Sequence, residues 1–356
     1  MANEPLNLAA YLPDEVARLP QSQTTIPAVA RDDRLMDTIS RAARLVPTRH
    51  ELLLGDARKL AQTADGTVHL VLTSPPYWSL KTYRDSEGQL GHVENYEEFV
   101  RETGRVWKRC FDALVPGGRL ICVVGDVCLS RRENEGRHTV VPLHSSIQLC
   151  CRDLGFDNLA PILWRKIANA KYEAGGNSTF LGKPYEPNAV VKNDIEFILM
   201  LRKPGGYRSP DWPTKLLSVI SAADHRQWFQ QIWADIPGAS TKDHPAPFPV
   251  ELASRLVRMF SFVGDTVLDP FGGTGTTSVA AALAGRNSVM YEIDPEYYKL
   301  AWKRLHSETN SLFKSTTLIP SSLSDDTQNG PETTGGRSHQ DVLEHAGNPG
   351  GKAGCR

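Results

Sequence analysis

Seven short apolar runs recur along the middle of the chain at the length of buried strands: Glu51 to Leu54, His69 to Leu72, Arg119 to Val124, Leu159 to Trp164, Phe197 to Leu201, Thr266 to Leu268 and Ser288 to Tyr291. Most alternate with stretches of helical period. Tyr96 to Leu114 places Phe99, Val106, Phe111 and Leu114 on one face, and Pro116-Gly117-Gly118 reads as the end of that helix. Val250 to Phe260 precedes the next strand in the same way. Alternation of this kind predicts an α/β fold with a mostly parallel, doubly wound sheet.

The two ends differ from the middle. Residues 1–47 are mixed, with a helix predicted over Asp33 to Val46 from the spacing of Leu35, Met36, Ile39 and Leu45, and they read as an extension packed on the main domain, 48–306. Residues 307–356 are dominated by Ser, Thr, Gly, Asp, Glu and Pro, too little apolar surface to offset the entropy of ordering, and read as a disordered tail.

Composition changes this picture little. A chain of 356 residues with 40% hydrophobic and 23% charged residues can bury a sizeable core, and no apolar run is long enough to span a bilayer. The N-terminus lacks the pattern of a secretory signal, so the expected location is the cytoplasm. Six cysteines form no C-x-x-C pair, and the histidines lack the H-E-x-x-H spacing of a metal helix, so neither a disulfide framework nor a metal site is expected. A net charge of -1 excludes a protein that coats nucleic acid indiscriminately. Locally, however, Ile162 to Lys215 carries nine Lys and Arg against five acids.

Two segments carry candidate chemistry. Val267-Leu268-Asp269-Pro270-Phe271-Gly272-Gly273-Thr274-Gly275-Thr276-Thr277 reads as strand, glycine turn and helix, a turn built for close approach to a small molecule. No lysine follows Gly275, which excludes a phosphate-cradling P-loop. About 20 residues further on, the next strand ends in Glu292, where such folds bind ribose hydroxyls. An adenosine-containing cofactor suits this set. The second segment, Val71-Leu72-Thr73-Ser74-Pro75-Pro76-Tyr77-Trp78, is a strand halted by two prolines. The prolines stiffen the loop and remove amide donors, leaving carbonyl oxygens and the Ser74 hydroxyl as acceptors. A planar amino group on an unstacked base would donate to them, with Tyr77 stacked on its ring.

Together these motifs resemble the DNA amino-methyltransferases that act on N4 of cytosine or N6 of adenine. In that family a [DNS]-P-P-[YFW] loop catalyses and an F-x-G-x-G turn holds S-adenosylmethionine; here they are Ser74-Pro75-Pro76-Tyr77 and Phe271-Gly272-Gly273-Thr274-Gly275. The catalytic loop comes first, as in the circularly permuted β-type motif order. The resemblance implies a Rossmann-like methyltransferase domain with a seven-stranded sheet. It implies cofactor contacts from Asp56, Thr73, Pro247, Asp269, Phe271, Gly272, Gly273, Thr274, Gly275, Thr276 and Glu292. It also implies duplex DNA as partner, with a cognate restriction endonuclease as a further one, and a monomer or homodimer. Serine at position 74 favours N4 of cytosine, with N6 of adenine as the alternative. Methylation at a ring carbon would need a Pro-Cys pair, and the chain has none.

For the DNA, the resemblance places target recognition in about 204–242, where Trp212, Trp228 and Trp233 lie, and local charge suggests Lys166, Lys171 and Arg208 as contacts. A related activity on RNA or a protein glutamine, and a catalytically silent DNA-binding module, are the competing readings.

Overall fold

A computed structural model of the chain describes residues 6–78, 84, 86–132, 134–166, 193–238, 248–312 and 316–321. All seven apolar runs form strands. In chain order the strands are β1 (Thr48–Leu54), β2 (Val68–Thr73), β3 (Leu114–Val124), β4 (Val127–Leu129), β5 (Thr139–Val141), β6 (Asp157–Arg165), β7 (Ile195–Arg202), β8 (Ile232–Trp233), β9 (Thr266–Asp269), β10 (Asn287–Glu292) and β11 (Thr316–Pro320). Nine of them make one sheet in the order β11-β1-β10-β9-β2-β3-β7-β6-β8, while β4 and β5 pair separately. The run from β11 to β3 is parallel, β7 is antiparallel to both β3 and β6, and β8 is parallel to β6. The sheet thus carries the predicted seven strands plus a short strand at each edge.

The helices are α1 (Asp14–Ala17), α2 (Thr25–Val29), α3 (Asp33–Leu45), α4 (Tyr96–Ala113), α5 (Leu143–Asp153), α6 (Trp212–Leu217), α7 (Ala222–Trp228), α8 (Val250–Phe260), α9 (Thr276–Leu283) and α10 (Pro295–Leu312). Successive residues of a strand point to opposite faces, and the central strands are apolar on both. Val71, Cys122 and Val124 pack under α4 and α5, while Leu70, Leu72, Ile121 and Val123 pack under α8 and α9. This double covering is why the sheet's runs read as continuously hydrophobic.

Two boundaries differ from the sequence reading. Helix α4 stops at Ala113, and Pro116-Gly117-Gly118 is a kink inside β3, where pairing to β2 shifts register between Val68 and Leu70. Gly117 has φ +77 and lies so close to the Gly206 carbonyl that a Cβ would meet its oxygen at 2.5 Å, so the glycine serves a strand bulge. The chain past residue 306 is also ordered further than its composition suggests. Helix α10 runs to Leu312, β11 pairs with β1, and the Ser321 amide donates to the Leu52 carbonyl. Strand β11 is only Thr316-Thr317-Leu318-Ile319-Pro320, too short an apolar stretch to show a period in polar surroundings. The tail reading now concerns residues 322–356, outside the described residues.

The N-terminal segment shares two buried clusters with the rest of the chain. Met36 and Ile39 of α3 join Leu216 and Val219, and Ala42, Ala43 and Val46 join Leu217 and Val263. Leu45, expected on the packed face, is exposed.

Candidate active site

Strands β2 and β9 lie side by side and parallel, with Leu70 beside Val267 and Val71 beside Leu268, so their loops leave the same edge of the sheet. Ligands of open α/β sheets bind at this edge. A buried hydrogen bond ties the two loops together: Thr73 Oγ1 donates to Asp269 Oδ1 at 2.7 Å. Asp269 also accepts from the Phe271 amide at 3.1 Å, and burial raises its pKa to about 6 despite these donors. Thr73 and Asp269 are therefore the clamp beneath the site.

Beyond the clamp, Ser74, Pro75 and Pro76 face a cleft that Asp56, Phe271 and Glu292 also line. Tyr77 is buried; its Oη lies 3.2 Å from Ser74 Oγ and donates to Glu196 Oε2 at 3.4 Å. Trp78 adopts a left-handed φ of +42, with its indole N–H on the Glu94 carbonyl and its ring against the edge of Tyr96. A bulky residue held in that region is a strained position of the kind found at functional sites.

In the glycine turn, Gly273 has φ +52 and Gly275 φ +78, backbone states that favour glycine. A Cβ on Gly272 would run into the Met290 side chain. The turn is held from below by Glu292, whose Oε2 accepts from the Gly273 amide at 2.7 Å and whose Oε1 accepts from the Asp294 amide at 2.9 Å. Burial pushes Glu292 up to about 7. Asp56 is joined to this corner because the Gly55 amide donates to the Glu292 carbonyl. Burial works to raise Asp56, but the hydrogen bonds and charge of Arg58 outweigh it and hold the carboxyl below its ordinary value. Arg58 also reaches Glu102 at 2.8 Å. This arginine was not singled out in the sequence; only the fold brings it across to Glu102.

Glu292, the flanking Phe271 and Asp56, all expected to contact the cofactor, line this one cleft. Not every predicted contact joins them. The hydroxyls of Thr274 and Thr276 accept from Arg304 of α10, and Gly275 packs on Ala301, so these three support the turn from behind. Pro247 and Lys171 lie outside the described residues.

Residues 68–303 match the family described as DNA methylase. The chain belongs to that family. It is 36% identical over 280 residues to the type II methyltransferase M.MjaI of Methanocaldococcus jannaschii, covering 70% of this chain and 88% of the relative. It is 32% identical over 284 residues to M.MthZI of Methanothermobacter thermautotrophicus, covering 73% and 77% respectively. Among solved structures, TTHA0409 of Thermus thermophilus in complex with S-adenosyl-L-methionine is 49% identical, with a TM-score of 0.63 over 77% of this chain and 99% of that one. The cytosine-N4-specific PvuII DNA methyltransferase shares the fold, with a TM-score of 0.53 over 77% of this chain and 97% of that one at 19% identity. S-adenosylmethionine is the cofactor of this DNA methylase family.

In this DNA methylase, Arg208 and Lys166, both expected to contact DNA, are each paired with an acid. Arg208 makes a bidentate pair with Asp265, at 2.5 and 2.6 Å, at the amino end of β9. The catalytic loop leaves the opposite end of the sheet. The partner acid of Arg208 lies 57 residues away in sequence. Lys166 donates to Glu196 at 2.8 Å, beneath the catalytic loop. Of the tryptophans in 204–242, Trp228 and Trp233 are core residues. Trp212 packs against the N-terminal extension. Among the described residues, no group of three or more His, Cys, Asp or Glu is placed to hold a metal ion.

Replacing Arg208 by alanine is expected to cost about 1–3 kcal/mol of stability, because Asp265 stays buried with an acceptor unmatched. Denaturant titration would show this loss with duplex DNA affinity unchanged; a fall in DNA affinity with stability intact would place Arg208 on the DNA face.

Proposed function

We propose that the protein transfers a methyl group from S-adenosylmethionine to the exocyclic N4 amine of cytosine in duplex DNA, with the base rotated out of the stack into the cleft beside Ser74. The observation that carries this reading is the Thr73–Asp269 bond, which holds the acceptor loop and the cofactor turn at one edge of the sheet. The cofactor supplies an electrophilic methyl on a sulfonium. The protein's part is to align the amine, whose lone pair is delocalised into the ring. Hydrogen bonds from the amine to Ser74 Oγ and the Pro75 carbonyl favour a pyramidal nitrogen, and alignment with electrostatics does the rest.

Among the described residues, no cysteine lines the cleft. Burial pushes the Cys110, Cys122 and Cys151 thiols up, which keeps them neutral. The choice of cytosine rests on Ser74, and N6 of adenine is the second reading, favoured by the Pro75 carbonyl serving either amine.

Of the segments expected to read bases, 167–192 and 239–242 lie outside the described residues. Arg165 ends β6 and Ile195 begins β7, and the pairing of Val124 with Phe197 puts that end of β7 at the catalytic edge. Strand β8 runs parallel to β6, so the chain after Trp233 leaves from the same edge. Residues 204–220 follow Arg202, which pairs with Arg119 at the opposite edge. Relatives named type II methyltransferases support a cognate restriction endonuclease as partner.

Cofactor affinity should depend on pH through Glu292. Its pKa is raised to about 7, so a proton is bound as pH falls through that value, and the proton removes the charge and competes with a backbone donor. The dissociation constant for S-adenosylmethionine is therefore expected to rise several-fold from about pH 8 to 6, and to stay flat in Glu292→Gln. Stability of the cofactor-free protein runs the other way. Asp269 and Glu292, both raised, contribute stability below the ordinary carboxylate range that is lost as pH rises through about 6 to 7. Calorimetry across this range checks both signs.

The functional test is transfer of labelled methyl from S-adenosylmethionine to duplex DNA, RNA or a protein extract. Label in DNA is expected; label confined to RNA or protein would overturn the reading, and label in none of them would favour a silent binding module.

A further inference from the structure

A hydroxyl can donate or accept, and a catalytic serine that must accept from an amine is useful only if its own proton is directed elsewhere. In this structure three side chains line up behind that proton. Ser74 Oγ lies 3.2 Å from Tyr77 Oη, which lies 3.4 Å from Glu196 Oε2, and Glu196 Oε1 takes a bond from Lys166 Nζ at 2.8 Å. The two hydroxyl contacts exceed the usual length of about 2.8 Å, a spacing found in sites that tighten when substrate arrives. Glu196 is 9% exposed, and the adjoining Gly125 leaves only 3.4 Å between a built Cβ and Glu196 Cγ. The Lys166 stem passes Gly238 so closely that a Cβ there would sit 3.1 Å from Lys166 Cγ. Its ammonium lies 5.5 Å from the centre of the Trp164 ring. The ion pair is thus confined on several sides.

We propose that Glu196 and Lys166 are positioning residues that set the direction of this hydrogen-bond chain and so make Ser74 an acceptor. An ion-paired carboxylate can only accept, so the Tyr77 proton points to Glu196. The Tyr77 oxygen is then the acceptor for the Ser74 proton, and the Ser74 lone pairs face the cleft. Serine in this setting performs as an acceptor-only side chain would. The inference rests on the reading that an amine is the methyl acceptor at Ser74.

Glu196→Gln reverses the chain with little change of shape. Lys166 has only protons to give and claims the amide oxygen, which leaves the amide N–H₂ facing Tyr77. Tyr77 then accepts from that amide, its proton is released from Glu196 and competes for Ser74 Oγ, and the Ser74 proton is turned toward the amine it should receive. Single-turnover methyl transfer to duplex DNA at saturating cofactor is expected to slow at least about tenfold in Glu196→Gln, with cofactor affinity by calorimetry within about twofold of the parent. Ser74→Asn is the diagnostic background, because an amide oxygen accepts whatever Tyr77 does. There Glu196→Gln should alter the rate by less than about twofold.

An equal loss in both backgrounds would make Glu196 merely structural and overturn the proposal, as would no loss in the first. If Ser74→Asn fails to fold or turn over, Tyr77→Phe replaces it: each single variant slows transfer by a similar factor, and the double variant is no slower. Multiplying losses would overturn the proposal. A parent enzyme that methylates RNA or protein amines instead would refute the choice of DNA only, and the same cycle would be run on that amine.

Discussion

Gly273→Val abolishes cofactor binding, lowering affinity for S-adenosylmethionine by at least about 100-fold while the protein stays folded. The argument begins with the backbone. Gly273 sits at φ +52, and a β-branched residue at a left-handed φ is strained by about 1–3 kcal/mol. The chain would relieve that strain by rotating the turn. Rotation takes the Gly273 amide off Glu292 Oε2, leaving the buried carboxylate short of a donor and moving it from its place in the cleft wall. Two effects therefore act on the same ligand, a displaced turn and a displaced acid. The sheet beneath is untouched, so melting temperature should fall by only a few degrees. Unchanged affinity by calorimetry would remove this turn from the cofactor site.

Tyr77→Ala divides binding from transfer in the opposite sense. Cofactor affinity is expected to stay within about threefold, since Tyr77 does not line the cofactor cleft and Ser74, Pro75 and Pro76 do. Methyl transfer should drop by at least about 100-fold. Loss of the hydroxyl that holds Ser74 and the void left by the ring let the catalytic loop shift, and a misplacement of about 1 Å can cost about 100-fold. The ring is buried in the main core, so truncating it should destabilise the fold by several kcal/mol, on the scale of about 3–5 for aromatic truncations in cores. Rates must accordingly be normalised to folded protein. Tyr77→Phe separates the ring from the hydroxyl, keeping packing while losing the bond. Turnover by Tyr77→Ala equal to that of the parent would take Tyr77 out of the site.

Both predictions rest on motifs legible in the sequence because their chemistry is local. Two prolines stop a strand whatever surrounds them, and a glycine turn between strand and helix states its own backbone requirement. The seven inner strands were legible for a similar reason, since a strand covered on both faces must be apolar throughout. The edge strands were not. Ile232–Trp233 and Thr316–Pro320 are both too short to show a period, the second in polar surroundings.

What the sequence concealed most was the pairing of charges. Arg58 with Glu102, Lys166 with Glu196, and Arg208 with Asp265 join residues 44, 30 and 57 positions apart. Counted along the chain, Lys166 and Arg208 looked like free positive charge available to phosphate. Folded, each is committed to an acid, one below the catalytic loop and the other at the far end of the sheet. Charge summed over a window of sequence cannot distinguish the two situations, because the neutralising partner comes from a distant part of the chain.

The most direct test of the account is the identity of the modified base. DNA methylated in vitro by the purified protein, digested to nucleosides and analysed by mass spectrometry, is predicted to contain N4-methylcytosine. N6-methyladenine without N4-methylcytosine would contradict it.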